Sequence, residues 1–101
     1  METEIKEKDG KLYVKFSGRL DTSAATNVEN DIKQLNSTLE RDIVLDCTDL
    51  VYISSSGLRI FLGILKSAKS KNLHAYIQNL NPEVEKIFKM TGFINLFESL
   101  E

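Results

Sequence analysis

Several residue types that define particular kinds of protein are scarce in this 101-residue sequence. Its one cysteine, Cys47, cannot form a disulfide within the chain, and no signal peptide is evident, so a reducing, cytoplasmic setting is expected. Its one histidine, His74, has neither a neighbouring cysteine nor a second histidine with which to bind a metal. No apolar run approaches the roughly 20 residues of a membrane span.

An excess of charge of either sign is also missing. The net charge is -2, with acidic and basic residues interspersed, which argues against general nucleic-acid binding. No glycine-rich loop has the lysine and spacing of a nucleotide-binding element, so we expect no cofactor. A hydrophobic content of 42% and a charged content of 28% are ordinary for a folded domain, and the length predicts one domain over 1–101 without a linker.

Two strands joined by a tight turn are predicted at the start of the chain. Leu12, Val14 and Phe16 alternate with polar residues, a pattern typical of a half-buried strand. The preceding Asp9-Gly10 favours a hairpin turn, because glycine adopts positive φ at little cost. Residues 3–8 would then form the edge strand, with a lysine- and glutamate-rich outer face that discourages aggregation.

Helical and strand patterns alternate after this hairpin. After a connection at 17–21, the predicted elements are a helix at 22–38 capped by Asp21 or Thr22, a buried strand at 43–45 with its polar end at 46–49, a helix at 56–71, a strand at 73–77, a helix from Asn81-Pro82 to about Thr91-Gly92, and a short strand or helical turn at 93–97. This order predicts an α/β fold with a mixed sheet packed against helices.

The segment from Tyr52 to Leu58 concentrates polar groups where a strand meets a helix. Ser54, Ser55 and Ser56 are followed there by Gly57. A helix start offers free backbone N–H groups and a positive dipole end, so it favours capping side chains, phosphate and anionic partners. By themselves, the serines are more typical of plain cap and turn residues than of a functional site.

The helix that follows carries apolar residues over more than half of its circumference. One buried stripe needs only about 100° of arc, so this helix either packs against two elements or leaves apolar surface for a partner. Ile60 is one of the residues that extend the arc. Gly63, in the middle of this helix, lowers helix stability by about 1 kcal/mol relative to alanine. It therefore indicates either a close contact at that position or a substitution without structural significance. Cys47 is interpreted as a small buried hydrophobe, and Asp46 and Asp49 as turn-capping residues.

Three motifs resemble those of STAS domains, the bacterial anti-sigma-factor antagonists. The run from Asp46 to Leu58 resembles the family pattern Asp-Leu-Ser-x-Val-x-Phe-Ile-Asp-Ser-Ser-Gly-Leu. Gly18-Arg19-Leu20-Asp21 is similar to the upstream Gly-x-Leu-Asp element, and the segment from Met90 to Phe97 is similar to the C-terminal Thr-Gly-x-x-x-Leu-Phe element. The likeness covers nearly the whole chain and implies a single STAS-like domain.

The resemblance implies a partner-switching function without catalysis. The unmodified protein would bind an anti-sigma factor that is also a GHKL-type serine kinase, which holds the nucleotide, and a phosphatase would reverse phosphorylation. The acceptor serine of the family falls on Ser55, and Ser54 stands where the family has aspartate. The contact surface implied is Asp21, Thr22, Ser54, Ser55, Ser56, Gly57, Arg59 and Ile60.

Two other functions stay open at this point. A STAS protein can instead be an unphosphorylated subunit of a lipid-transport or stressosome-like complex. A junction serine could also be the nucleophile of a hydrolase, but the segment lacks the Gly-x-Ser-x-Gly pattern and the chain is short for that fold. We therefore expect a regulatory binding protein with no enzyme activity, no cofactor and no nucleic-acid or membrane partner.

Overall fold

A computed structural model describes residues 1–99 as one mixed sheet with helices. The elements are β1 (Glu2–Lys8), β2 (Lys11–Leu20), α1 (Thr22–Thr38), β3 (Ile43–Ile53), α2 (Ser55–Ser70), β4 (Ala75–Gln78), α3 (Pro82–Thr91), a 3₁₀ turn (Phe93–Asn95) and β5 (Glu98–Ser99). The five strands lie in the order β1-β2-β3-β4-β5. Strand β1 is antiparallel to β2 and the others are parallel, which confirms the predicted α/β class.

The β1–β2 hairpin has the tight turn that the sequence predicts. Asp9 and Gly10 both have positive φ, at 53° and 77°. A two-residue turn with this backbone has a twist that matches the twist of the strands beside it. Ile5 consequently lies opposite Val14, whose side chain is fully buried under the helices.

One face of the sheet carries the helices, and Phe61 of α2 lies at the centre of that core. Its ring is fully buried, with its centroid 4.9 Å from Phe16 of β2, 5.9 Å from Phe88 of α3 and 6.4 Å from Phe97. Aromatic pairs at these separations add to the stabilisation from burial. The sheet, two helices and the C-terminal segment therefore share one core.

Helix α2 packs against both the sheet and α1, which accounts for its wide apolar arc. Ile64 is fully buried and Ile60 is 8% exposed. The ammonium of Lys71, which follows α2, donates to the carbonyls of Asn36 and Leu39 at the end of α1, both at 3.0 Å. The two helices are thus held side by side at both the apolar contact and the helix end.

Strands β2 and β3 are longer than predicted. The predicted connection at 17–21 continues β2 through Leu20, with register shifts against β3 around Ser17 and Gly18 that break the alternating pattern. The polar residues at 46–49 do not end β3, because Asp46 pairs in register with Lys15 and the strand continues to Ile53.

The remaining boundaries differ by little. Helix α2 begins one residue earlier than predicted, and β4 begins at Ala75 rather than 73. The predicted short strand or helical turn at 93–97 is a 3₁₀ turn that leads into β5, with Phe97 buried in the core and Leu96 41% exposed. Within residues 1–99, no helix combines the length and apolar character needed to cross a bilayer.

Candidate functional site

The serine junction is a strand-to-helix turn capped by Ser54. Ser54 has an extended backbone, and its Oγ accepts a hydrogen bond from the Gly57 N–H at 3.2 Å. Its own N–H donates to the carbonyl of Leu20 at 2.9 Å. The first bond satisfies a free donor at the helix start, and the second fixes the junction to the end of β2.

Ser55 and Ser56 occupy the first turn of α2 in different environments. Ser55 is the first residue of the helix and is exposed, whereas Ser56 is half-buried. No acidic side chain lies in this first turn, so no carboxylate of the turn offsets the positive end of the helix dipole. The position of Ser55 would therefore accommodate an added anion.

Gly57 is needed for close packing between α2 and the sheet. It is buried, and a Cβ placed on it would lie 2.8 Å from Ile53 Cγ1 and 2.8 Å from Leu20 Cγ. Side chains essentially never approach so closely. Gly57 thus lies beneath the junction surface rather than on it, which favours a packing role.

The start of α1 is held beside the start of α2. Asp21 caps α1, with its Oδ1 accepting from the Ala24 N–H at 2.9 Å, which settles the choice between Asp21 and Thr22 as the cap. Leu20, bonded to Ser54, directly precedes Asp21. Because parallel strands end at the same edge of a sheet, both helix starts lie at the carboxyl ends of β2 and β3.

A groove of about 350 Å³ between α1 and α2 contains four of the eight predicted contact residues, Thr22, Ser56, Arg59 and Ile60. Arg59 is exposed, but Ile60 has little surface to offer a partner. Gly63 also lines the groove, with nothing within 4 Å of where its Cβ would be, so the close contact considered for it is absent. Asp21 lines a separate hollow on the other side of α1.

One contact beside the junction was not found from the sequence. The guanidinium of Arg19 lies 4.5 Å from the ring centroid of Tyr52, a cation–π pair between β2 and β3. Both residues belong to recognised motifs, but the register shift next to Gly18 hides their cross-strand pairing. This pair borders the end of β3 just before Ser54.

Other polar residues singled out in the sequence have structural roles. Cys47 is fully buried, and burial raises the pKa of its thiol to about 12. Burial opposes ionisation of Asp46, but hydrogen bonds from the Thr48 hydroxyl and N–H outweigh it and lower the pKa of that carboxyl. Asp49 pairs with Lys15 at 3.0 Å rather than capping a turn.

His74 lies on the surface, and its Nδ1 is 2.6 Å from Glu98 Oε2. Over residues 1–99, no three histidine, cysteine or carboxylate side chains cluster in a way that could hold a metal ion.

Comparison with known proteins identifies the family. The model of the STAS domain matches residues 2–101. A protein named as an anti-sigma factor antagonist, BtrV, of Bordetella bronchiseptica is 32% identical over 89 residues, which are 88% of this chain and 77% of that protein. The anti-sigma-B factor antagonist of Staphylococcus aureus is 29% identical over 87 residues, 85% of this chain and 81% of that protein.

Solved structures agree on the fold. SpoIIAA, an anti-sigma factor antagonist, in its unphosphorylated form has a TM-score of 0.82 at 18% identity, covering 99% of this chain and 89% of that one. The phosphorylated Bacillus SpoIIAA has a TM-score of 0.74 at 17% identity, covering 99% and 92%. The extent of the family match, together with the capped serine junction, shows that this chain belongs to the STAS domain family.

Proposed function

We propose that this protein is an anti-sigma-factor antagonist, a regulatory binding protein that is switched by phosphorylation of Ser55. Its partner would be a GHKL-type serine kinase that acts as an anti-sigma factor, with a serine phosphatase reversing the modification. The proposal is supported by the names of its relatives in Bordetella and Staphylococcus. The observation that carries it is the placement of Ser55, exposed and first in α2.

Among the three junction serines, Ser55 is the best suited to accept phosphate. The Ser54 hydroxyl accepts the capping bond from Gly57, and Ser56 is half-buried against the α1–α2 groove. Ser55 is exposed. A kinase must surround the acceptor hydroxyl, so exposure favours Ser55 over its neighbours.

A phosphate on Ser55 would change the surface without unfolding it. Phosphorylation adds about -1.5 to -2 charge, which the free N–H groups and dipole of a helix start tolerate. Arg59 follows Ser55 by one helical turn, the spacing at which opposite charges pair, so the phosphate would also engage Arg59. Repulsion from acidic partner groups and loss of a free Arg59 would together weaken binding, by about 5–150-fold for a typical regulatory coupling.

Serine in place of the family aspartate at position 54 is compatible with this function. Serine and aspartate are about equally good N-caps, and Ser54 makes the capping bond here. The replacement removes a negative charge next to the acceptor and leaves the local turn supported. We propose a contact surface of the exposed and half-buried members of the predicted set, Asp21, Thr22, Ser54, Ser55, Ser56 and Arg59. Gly57 and Ile60 are buried and would support this surface from beneath.

The first test is incubation with the GHKL-type serine kinases of the source bacterium and MgATP, followed by intact-mass and peptide mass spectrometry. We expect one phosphate, on Ser55, and none on the Ser55→Ala variant. Ser55→Ala should keep kinase binding, and Ser55→Glu should bind at least about 5-fold more weakly. Binding is measured by calorimetry.

Ser70→Glu is the matched control, because Ser70 is exposed at the far end of the same helix. It adds the same charge and should leave binding unchanged. Absence of phosphate, with the kinase active on another antagonist, would contradict the switch and favour the unphosphorylated subunit of a larger complex. Phosphate on Ser54 or Ser56 would contradict the assignment of the acceptor.

A further inference from the structure

The outer edge of β1 is a long strand edge with no neighbouring strand among residues 1–99. β1 runs from Glu2 to Lys8 and pairs with β2 on one side only. The sheet's other edge is β5, whose described part is two residues, Glu98–Ser99. An edge strand offers unpaired N–H and C=O groups to another strand unless its side chains prevent pairing.

The charged residues of β1 are arranged in two halves on one face. Glu2 and Glu4 precede Lys6 and Lys8, and all four lie on the face of the sheet that the helices leave open. Ile5, in the middle, is on the helix-covered face opposite Val14 and is still 47% exposed. The acidic half and the basic half are thus equally distant from Ile5.

Among antiparallel registers, this arrangement is fully complementary to itself in one only. In an antiparallel pair centred on Ile5, Glu2 faces Lys8 of the second copy, Glu4 faces Lys6, and Ile5 faces Ile5. Sliding one strand by two residues either way sets Glu4 against Glu4 or Lys6 against Lys6. A parallel, in-register pair would oppose like charges throughout. Opposite charges directly across a strand pair stabilise it, and like charges destabilise it.

Within the single chain these charges are only partly satisfied, with Glu4 opposite Lys15 of β2. Glu4 and Lys6 contact each other at 3.4 Å, but both are more than half exposed, so the pair contributes little. Lys8 lies opposite Lys11, a like charge, with its ammonium 6.0 Å from the Tyr13 ring. Among residues 1–99, Glu2 makes no ion pair within 4.0 Å. A second copy would give Lys8 and Glu2 opposite charges.

We propose that β1 is a homodimer interface, at which two copies pair their β1 edges antiparallel about Ile5 and join their sheets. The same charges favour this register over the two slipped ones, each of which keeps two of the four Glu–Lys pairs and adds one like-charge pair. A single pair of seven-residue strands buries less surface than a standard interface, so the dimer would be weak and transient. The inference does not depend on phosphorylation of Ser55.

A charge-exchange experiment tests this directly. Sedimentation equilibrium of the full chain from about 10 µM to about 1 mM should show a reversible monomer–dimer equilibrium that weakens at high salt. Glu2→Lys with Glu4→Lys gives an all-basic face, and Lys6→Glu with Lys8→Glu gives an all-acidic face. We expect each double variant alone to lose the dimer, and an equimolar mixture of the two to regain it as a heterodimer.

The control variant is Glu40→Lys with Glu83→Lys. Both residues are exposed, lie outside β1 and undergo the same change of charge. This variant should dimerise like the unmodified protein. Circular dichroism would check that every variant is folded. A protein that stays monomeric up to about 1 mM would overturn the proposal. So would dimers that survive in either β1 variant, or a mixture that stays monomeric.

Discussion

Gly57 and Gly63 lie on the same helix, α2, but the space around their Cβ positions differs. Gly57 faces the ends of β2 and β3, where a Cβ would meet Leu20 and Ile53 at 2.8 Å. Gly63 faces the α1–α2 groove, and its Cβ position is empty for 4 Å around. Packing therefore requires glycine at position 57 but not at position 63.

Replacing each glycine by alanine should change stability in opposite directions. Gly57→Ala should lower the free energy of unfolding by about 1–2 kcal/mol, because overpacking against buried side chains outweighs the better helix propensity. Gly63→Ala should raise it by about 0.5–1 kcal/mol through propensity alone. Urea denaturation measures both. Equal shifts of the two variants would show that the contact around Gly57 relaxes freely.

Helix α2 depends at its start on a single side-chain cap. Ser54 is the residue whose oxygen satisfies a backbone N–H there, and its backbone N–H also fixes the helix to β2. The cap is a local interaction that a serine before an apolar helix predicts. The bond to Leu20 is a tertiary interaction, which exists only because β2 extends as far as that residue.

The cap can be separated from the proposed acceptor by substitution. Ser54→Ala should destabilise the protein by about 1 kcal/mol, whereas Ser54→Asp should be as stable or up to about 1 kcal/mol more stable, since aspartate caps equally well and complements the dipole. Ser55→Ala, as the control, should change stability little because Ser55 does not cap the helix. Thermal and urea unfolding measure the stability of the three variants. A Ser54→Ala variant as stable as the unmodified protein would contradict the capping role of Ser54.

Helices were more accurately predicted than strands because their signals are local. The bounds of α1 match the prediction and those of α2 lie within one residue of it, since apolar spacing and caps such as Asp21 fall within a few residues of each other. Strands β2 and β3 were predicted too short. The second half of β2 contains a register shift near Gly18, and the second half of β3 contains exposed polar residues. Both sequences are typical of loops, and only the cross-strand partners show that they are strands.

The hydrophobic core encloses the one thiol of the chain. Cys47 lies on the helix-covered face of β3 with no exposed surface. Burial raises the pKa of its thiol from 9.0 to about 12, so at neutral pH it is protonated and out of reach of reagents. Modification then requires that the sheet and its helices open.

Reaction of Cys47 should therefore report global unfolding. At pH 8 we expect a thiol reagent to label the folded protein at least about 100-fold more slowly than the protein in denaturant, because only the open state reacts. The raised pKa also means that stability falls as pH rises from 9.0 towards about 12, where the unfolded chain alone releases the proton. Labelling rates measured across a range of urea concentrations test the link to unfolding, and rapid labelling of the folded protein would contradict that link. Urea denaturation at several pH values between 9 and 12 tests the loss of stability.

Much about this protein followed from the sequence alone: the α/β class, the helices, the hairpin, the position of the serine junction and the family. All of these depend on spacings over a few residues or on motifs read in order. The tertiary structure alone decided that Ser55 is exposed while Ser56 and Ile60 face the groove, that Gly57 lies beneath the surface, and that Arg19 contacts Tyr52. These depend on strand register and helix packing, which bring together residues distant in the chain.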